Sequence, residues 1–284
     1  MTEAFPLSPQ PVQRAQFATT ASMTMKTKLA LVMVVALLFI SFASCKSKTS
    51  TRNRLDENHF PRLVLWAWER PEDLKNIDAN RFAVAFLAQT LVLKGGEVIF
   101  DPRHQPLDVS PDTKLVAVTR IESQKQTGER AALSDAQIQR AISLILRTRE
   151  LRNVSAIQID FDAAVSEREF YRALLRNLRA KLPDNVPLSI TALASFCVGD
   201  RWLDDLPVDE AVPMIFRMGA DDRAIKNLLA SGADFREPLC QRSYGIAVDE
   251  PIESKFKPDR RVYVFNDRSW TAADVNSIEE RLRQ

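Results

Sequence analysis

The sequence predicts an α/β protein: a (β/α)8 barrel of the TIM type, irregular after its second strand and preceded by an export segment. Short β-branched or aromatic runs recur eight times beyond residue 62, and helical patterns separate several of them. The length left after the first 44 of the 284 residues is close to the roughly 250 typical of such a barrel. An open doubly wound sheet is the alternative. It needs a glycine fingerprint after the first strand, and the stretch LWAWERPED from Leu65 to Asp73 offers no phosphate-cradling turn.

Residues 1–24 show no periodicity and read as an upstream extension, with Met23 or Met25 as the initiator. Residues 25–44 read as a signal peptide, because Lys26 and Lys28 precede the apolar stretch Leu29–Ile40 and small residues follow it. A dozen apolar residues fall short of the roughly 20 that span a bilayer, although Ser41 to Ser44 extend them toward an uncleaved anchor, the competing reading. Ala43-Ser44-Cys45 resembles the lipobox of bacterial lipoproteins, which implies cleavage and acylation at Cys45; Phe42 departs from the aliphatic residue usual there. Residues 45–61 are polar and aperiodic and read as a tether, so the barrel domain is expected over 62–284.

The eight expected strands are Leu63–Glu69, Ala83–Thr90, Leu115–Glu122, Ala156–Asp162, Leu188–Ser195, Ala211–Arg217, Tyr244–Asp249 and Arg261–Asn266. Helices are expected after the third, fourth, sixth and eighth, over Ser134–Leu151, Ser166–Leu182, Asp222–Ser231 and Thr271–Arg281. Ser134-Asp135, Ser166 with Glu169, and Thr271 with Asp274 are start signals. After the second strand, Gly95-Gly96 and a run of turn formers predict a missing helix and an extra hairpin.

Charge and composition narrow the function. Arg14, Lys26 and Lys28 against Glu3 account for the whole formal charge of +2, so the remainder is neutral and lacks the electrostatic footprint of a nucleic-acid binder. Two histidines leave no His-based metal cluster, and neither a metal nor a cofactor is expected. With Cys45 set aside, Cys197 and Cys240 form an even pair that reads as a disulfide in an oxidising compartment; two buried free thiols are the alternative.

In a barrel the site lies at the C-terminal ends of the strands. Those ends carry Trp66, Trp68 and Glu69 on the first, Arg120 and Glu122 on the third, and Asp160 and Asp162 on the fourth. Arg217 ends the sixth, Asp249 and Glu250 the seventh, and Asn266 the eighth. Alternation puts Gln158, Asp160 and Asp162 on one side of the fourth strand and Ile157, Ile159 and Phe161 on the other. The apolar side must face helices, so both aspartates face the interior, where burial raises a carboxylate toward general-acid use. In the competing reading Arg120 and Arg217 neutralise them in an internal network, the two tryptophans only pack, and Val208-Asp209-Glu210 is a pair of loop charges. Between that repeat and Val248-Asp249-Glu250, the second is favoured for the site because it ends a strand.

The blocks IQIDFDA, SEREFYRALLRNLR, PLSITALASFCVGDRWLDDLPVDEAVPMIFRMG and RRVYVFNDRSW resemble an uncharacterised family of exported bacterial domains, from about Arg62 to the end. That resemblance implies a barrel related to glycoside hydrolases and brings no established activity. More remotely, the order of blocks is similar to the chitinase-like glycoside hydrolases of family 18, whose fourth strand carries Asp-x-Asp-x-Glu. Laid on it, Asp160 takes the middle position and Asp162 that of the acid, while Gln158 replaces the first carboxylate. That family's Met-x-Tyr-Asp block is matched by Met214-Ile215-Phe216-Arg217, which lacks the hydroxyl and the carboxylate of substrate-assisted cleavage. The expected function is therefore a glycosidase-like enzyme, membrane-anchored as a lipoprotein on the periplasmic side of the cell envelope, with Asp160 and Asp162 catalytic and Trp66, Trp68, Glu69, Arg120, Glu122, Arg217, Asp249 and Glu250 binding a carbohydrate. The alternative is a barrel that binds a glycan or a protein without chemistry.

Overall fold

The computed structural model describes residues 53–250 and 256–283. The signal segment, Cys45 and the first part of the tether, up to residue 52, lie outside the described residues. Element order is α1 (Arg54–Glu57), β1 (Leu63–Ala67), β2 (Glu72–Leu74), β3 (Phe82–Lys94), β4 (Glu97–Pro102), β5 (Leu107–Val109), β6 (Leu115–Ser123), α2 (Asp135–Thr148), β7 (Val154–Asp160), α3 (Arg168–Lys181), β8 (Leu188–Leu193), β9 (Glu210–Met214), α4 (Asp222–Ala230), β10 (Ser243–Ala247), β11 (Arg261–Phe265) and α5 (Ala272–Arg283).

Eight parallel strands run β1-β11-β10-β9-β8-β7-β6-β3, and the pairing of β1 with β3 closes the barrel. Closure rules out the open sheet. All eight expected strands are present, and most end earlier than the sequence suggests: β7 stops at Asp160 and β9 at Met214. Residues read as strand ends, Asp162 and Arg217 among them, therefore stand on the first turns beyond the ladder.

The two faces of the strands separate cleanly. Ile157 and Ile159 belong to the outer core with Ile142 and Ile145 of α2 and Leu174 and Leu178 of α3. Val64, Trp66, Ala83, Ala85, Val116, Val118, Ala156, Val212 and Tyr263 fill the interior. Burying each Leu or Ile of the outer layer contributes about 1.5–3 kcal/mol. Helix α2 starts on a full capping box, Gln137 N–H donating to Ser134 Oγ at 3.3 Å and Ser134 N–H to Gln137 Oε1 at 3.2 Å. Thr271 and Asp274 cap α5 reciprocally in the same way. The Ser166/Glu169 start is corrected: α3 begins at Arg168, and it is Glu167 whose carboxylate accepts from Ala164 N–H at 2.7 Å.

No helix follows β3. That strand runs 13 residues, turns at Gly95 (φ 50°) and pairs antiparallel with β4, so the expected hairpin replaces the missing helix.

Residues 53–61 are not a tether. Leu55 and Phe60 are buried in the interior cluster, and α1 closes the barrel beneath the N-terminal ends of the strands. Two apolar residues are too few to show periodicity, which is why the sequence conceals this plug. Its charges are anchored on Val208-Asp209-Glu210, which is a structural motif and not a pair of loop charges. Asp209 Oδ1 pairs with Arg54 at 3.0 Å, and its Oδ2 accepts from Leu188 N–H at 2.9 Å. Glu210 is fully buried; it pairs with Arg261 at 3.0 Å and accepts from Tyr263 Oη at 2.6 Å. Arg261 also reaches Asp56 at 3.0 Å.

Cys197 and Cys240 form a disulfide with Cα atoms 5.8 Å apart, buried in the outer core behind β8 and β9.

Candidate active site

At the opposite end of the barrel a cleft of about 350 Å³ opens over β1, β7, β8, β9 and β11. Asp160, the last residue of β7, is half-buried in it and accepts from Thr191 Oγ1 of β8 at 2.6 Å. Desolvation raises its pKa to about 6; Asp162 and Glu122 push the same way, while the Thr191 bond and Arg120 oppose them. Asp162, two residues on, lines the mouth, and its pKa is also raised, chiefly by desolvation against the pull of Arg120 and Lys125. Because its side chain reaches solvent, that desolvation is partial, and Asp160 carries the larger shift.

The turn that presents Asp162 is fixed from behind. Phe161 is buried against Tyr171 of α3 with ring centroids 5.2 Å apart. Glu167 accepts from Ala164 N–H and from the hydroxyl of Ser123 at the end of β6. With Phe161 pinned outward, alternation leaves Asp160 and Asp162 inward. Gln158 lies one step deeper, accepting from Trp66 Nε1 at 2.9 Å and donating to Ser189 Oγ at 2.9 Å. The amide that replaces a carboxylate there serves the indole N–H, which needs an acceptor.

Trp66 is only 3% exposed and forms the floor, packed on Tyr263 (5.2 Å) and Phe216 (6.2 Å). Gly245 permits this: a Cβ there would come within 3.0 Å of the indole and of Pro213 O. Trp68 is half-buried and meets Phe265 edge-on at 6.3 Å; Phe216 and Phe265 stack at 5.5 Å. The rim is thus aromatic on the side facing the aspartates.

Several expected site residues are placed differently. Arg217 lines the cleft in the left-handed region (φ 52°), lies 5.1 Å over the Phe265 ring, and pairs with Asp249 at 3.2 Å. Its N–H donates to Glu250 at 3.1 Å, so Asp249 and Glu250 hold Arg217 instead of facing the cleft. Arg120 lines the cleft but pairs with Glu122 at 2.8 Å, and Glu122 lies in the shallow neighbouring groove with Lys125. Glu69 is exposed outside the cleft, on the side of Arg103. Asn266 is buried beside Asp274 and is structural. Neither Asp160 nor Asp162 has a cation within 4 Å among the described residues, so the neutralised network is not formed. Residues that sequence reasoning missed are Thr191, Phe216, Phe265 and Asp221. The two phenylalanines end expected strands and could have been found by extending the same alternation; Asp221 carries no such signal. No group of three or more His, Cys, Asp or Glu among the described residues is placed to hold a metal ion.

The stretch from β6 to β9, with both aspartates and Thr191, has recognisable kin. Residues 112–212 match a domain of unknown function, DUF3142. This match covers the middle of the barrel and not the whole span from Arg62. No curated protein sequence matches the chain. Among solved structures, a family GH18 chitinase from Chromobacterium violaceum superposes with a TM-score of 0.50 at 12% identity, covering 84% of this chain and 91% of the other. A proposed chitinase A from Streptomyces coelicolor gives 0.50 at 12%, covering 78% and 97%. The spore cortex-lytic enzyme SleL of Bacillus cereus gives 0.42 at 20%, covering 66% of this chain, which spans only 51% of that enzyme. The barrel fold is that of the GH18 chitinase-like structures.

Proposed function

We propose that the cleft binds a glycan and cleaves a glycosidic bond, with Asp162 as proton donor and Asp160 as the group that holds the shared proton behind it. The observation that carries this is a pair of carboxylates without a cation partner at the end of β7, in a cleft floored and rimmed by aromatic rings. Rings of this kind offer apolar faces on which a pyranose stacks. Two carboxylates in contact with one cleft titrate as a pair, and an ionised Asp160 strengthens proton binding on Asp162. Activity is expected to fall as pH rises past about 6, where Asp160 titrates and the pair begins to lose its last proton. Phe216 and Arg217 supply neither the hydroxyl nor the carboxylate of substrate-assisted chitin cleavage, which favours another glycan.

A panel of aryl glycosides and cell-wall polysaccharides tests the reading: hydrolysis is expected, and loss of at least about 100-fold in Asp162→Asn. Retention of activity within a few-fold by that variant rejects Asp162 as the acid. A second reading, glycan binding without cleavage, is favoured by the fact that Glu122 and Glu250 are each tied to an arginine. Binding on a glycan array with no hydrolysis of any panel member decides for it.

Export and acylation at Cys45 complete the proposal, placing the barrel at the cell envelope. The order of Lys26 and Lys28, Leu29–Ile40 and Ala43-Ser44-Cys45 supports it. Metabolic labelling with a fatty-acid analogue is expected to mark the wild type and not Cys45→Ala; label retained in the variant overturns the lipid assignment.

A further inference from the structure

Acid catalysis at Asp162 leaves the other half of the reaction unassigned, because glycosidic cleavage also needs a group to activate water or attack the sugar. Elimination among the carboxylates is informative. Glu69 lies outside the cleft, Glu122 is held by Arg120, and Asp249 and Glu250 are held by Arg217. Beyond Asp160 and Asp162, one carboxylate lines the cleft among the described residues, Asp221.

Its local geometry is unusual. Asp221 stands at the N-cap of α4, where an aspartate ordinarily accepts from a backbone N–H of the first turn. Its backbone is instead helical (φ −86°, ψ −8°) and its side chain makes no capping bond. The carboxylate is exposed in the cleft with no ion pair among the described residues, whereas the neighbouring Asp222 is paired with Lys226 at 2.7 Å. The turn before it is set by Gly219 at φ 62°.

Position across the barrel is equally specific. Asp221 follows β9 and Asp162 follows β7, with β8 between them. Asp221 stands seven residues beyond the end of β9 and Asp162 two beyond the end of β7, so the two carboxylates reach the same cleft from different loops. Carboxylates carried on separate loops of one cleft can flank a sugar and a water between them, which is the arrangement an inverting enzyme uses.

We propose that Asp221 is the general base of an inverting glycosidase, an assignment that rests on the glycosidase reading above. Asp162 gives its proton to the glycosidic oxygen as the bond from that oxygen to the anomeric carbon breaks. A water on the opposite face forms the new bond to that carbon and passes its proton to Asp221. One water is consumed, and the anomeric configuration inverts.

The test uses the full chain in detergent, with matched 4-nitrophenyl and 2,4-dinitrophenyl glycosides of the sugar that the panel identifies, and NMR of the first-formed anomer. Expected results are an inverted product and a loss of at least about 100-fold in kcat for Asp221→Asn on both substrates. Asp162→Asn is expected to recover on the dinitrophenyl glycoside, whose leaving group needs no proton. Equal thermal midpoints of wild type and Asp221→Asn are expected, since the side chain is exposed and unpaired. A retained anomer, or Asp221→Asn within ten-fold of a wild type that Asp162→Asn abolishes, overturns this assignment and leaves the glycosidase reading standing. A wild type that cleaves no panel member removes both.

Discussion

Glu210 and Asp160 are both inward-facing carboxylates of the same barrel, at opposite ends of it. Glu210 begins β9, has no exposed surface, and is met by Arg261 and Tyr263, whose hydroxyl burial and then Glu210 itself keep protonated well above the ordinary range. Asp160 ends β7 with a single hydroxyl as partner and no cation among the described residues, and its pKa rises to about 6. The lower end spends its charges on holding α1 in place. The upper end leaves carboxylates under-paired beside a cleft, a state that costs stability and is kept where it serves chemistry. Charge type alone does not distinguish the two ends; pairing does.

Removing one partner at the closed end sharpens the contrast most. Glu210→Ala takes from the buried Arg261 its buried carboxylate partner, leaving it only the solvent-facing Asp56, and is expected to cost about 3–5 kcal/mol in urea unfolding. A loss below about 1 kcal/mol would show that water already reaches that end. Replacing Cys197 and Cys240 together by alanine removes a cross-link spanning 43 residues, worth up to about 4 kcal/mol in the chain-entropy model. Because the bridge lies in the outer wall, the titration of Asp160 should not move with it, as carboxyl NMR can check.

At the open end the sign reverses. The folded-state pKa of Asp160, about 6, lies above its ordinary 3.8, so the folded protein binds the extra proton between those values and stability falls as pH rises through that window. Asp160→Asn removes its share of the slope, leaving the smaller share of Asp162, and is expected to be more stable than wild type at pH 8 by at most about 3 kcal/mol. Unfolding curves at pH 4 and pH 8 decide it; a variant less stable at pH 8 would mean that the carboxylate is paired after all. Gln158→Leu leaves the Trp66 indole N–H without its acceptor and should cost about 1–3 kcal/mol. The smallest change comes from Glu122→Gln on the rim. Stability should shift by less than about 1 kcal/mol, while the Asp160 titration moves down because a charge that raises it is gone.

Much of this architecture was legible in the chain. Alternation in IQIDFD assigned Ile157 and Ile159 to the helix side and Gln158 and Asp160 to the interior, since a period of two admits no other division of that strand. Ser134 and the Thr271/Asp274 pair form their helix starts because a short capping side chain and its third neighbour meet whatever the tertiary context, although the start signal at Ser134 did not include its third neighbour, Gln137. The plug at Leu55 and Phe60 was hidden, being too short to display a period, and its meaning depends on Arg261 and Asp209, some 150 or more residues away.

Read along the chain alone, the residues favour the barrel over an open sheet, a hairpin after the second strand, a Cys197–Cys240 bridge over two free thiols, and an inward-facing Asp160. These follow from periodicity, turn chemistry and residue counts, which are local or arithmetical properties. Which charges are satisfied follows from the packed barrel: Arg217 takes Asp249 and Glu250, Arg120 takes Glu122, Glu210 takes Arg261, and Asp160, Asp162 and Asp221 are left without a cation among the described residues. Ion pairing depends on distances of a few ångströms between residues remote in sequence, and no pattern along the chain encodes them.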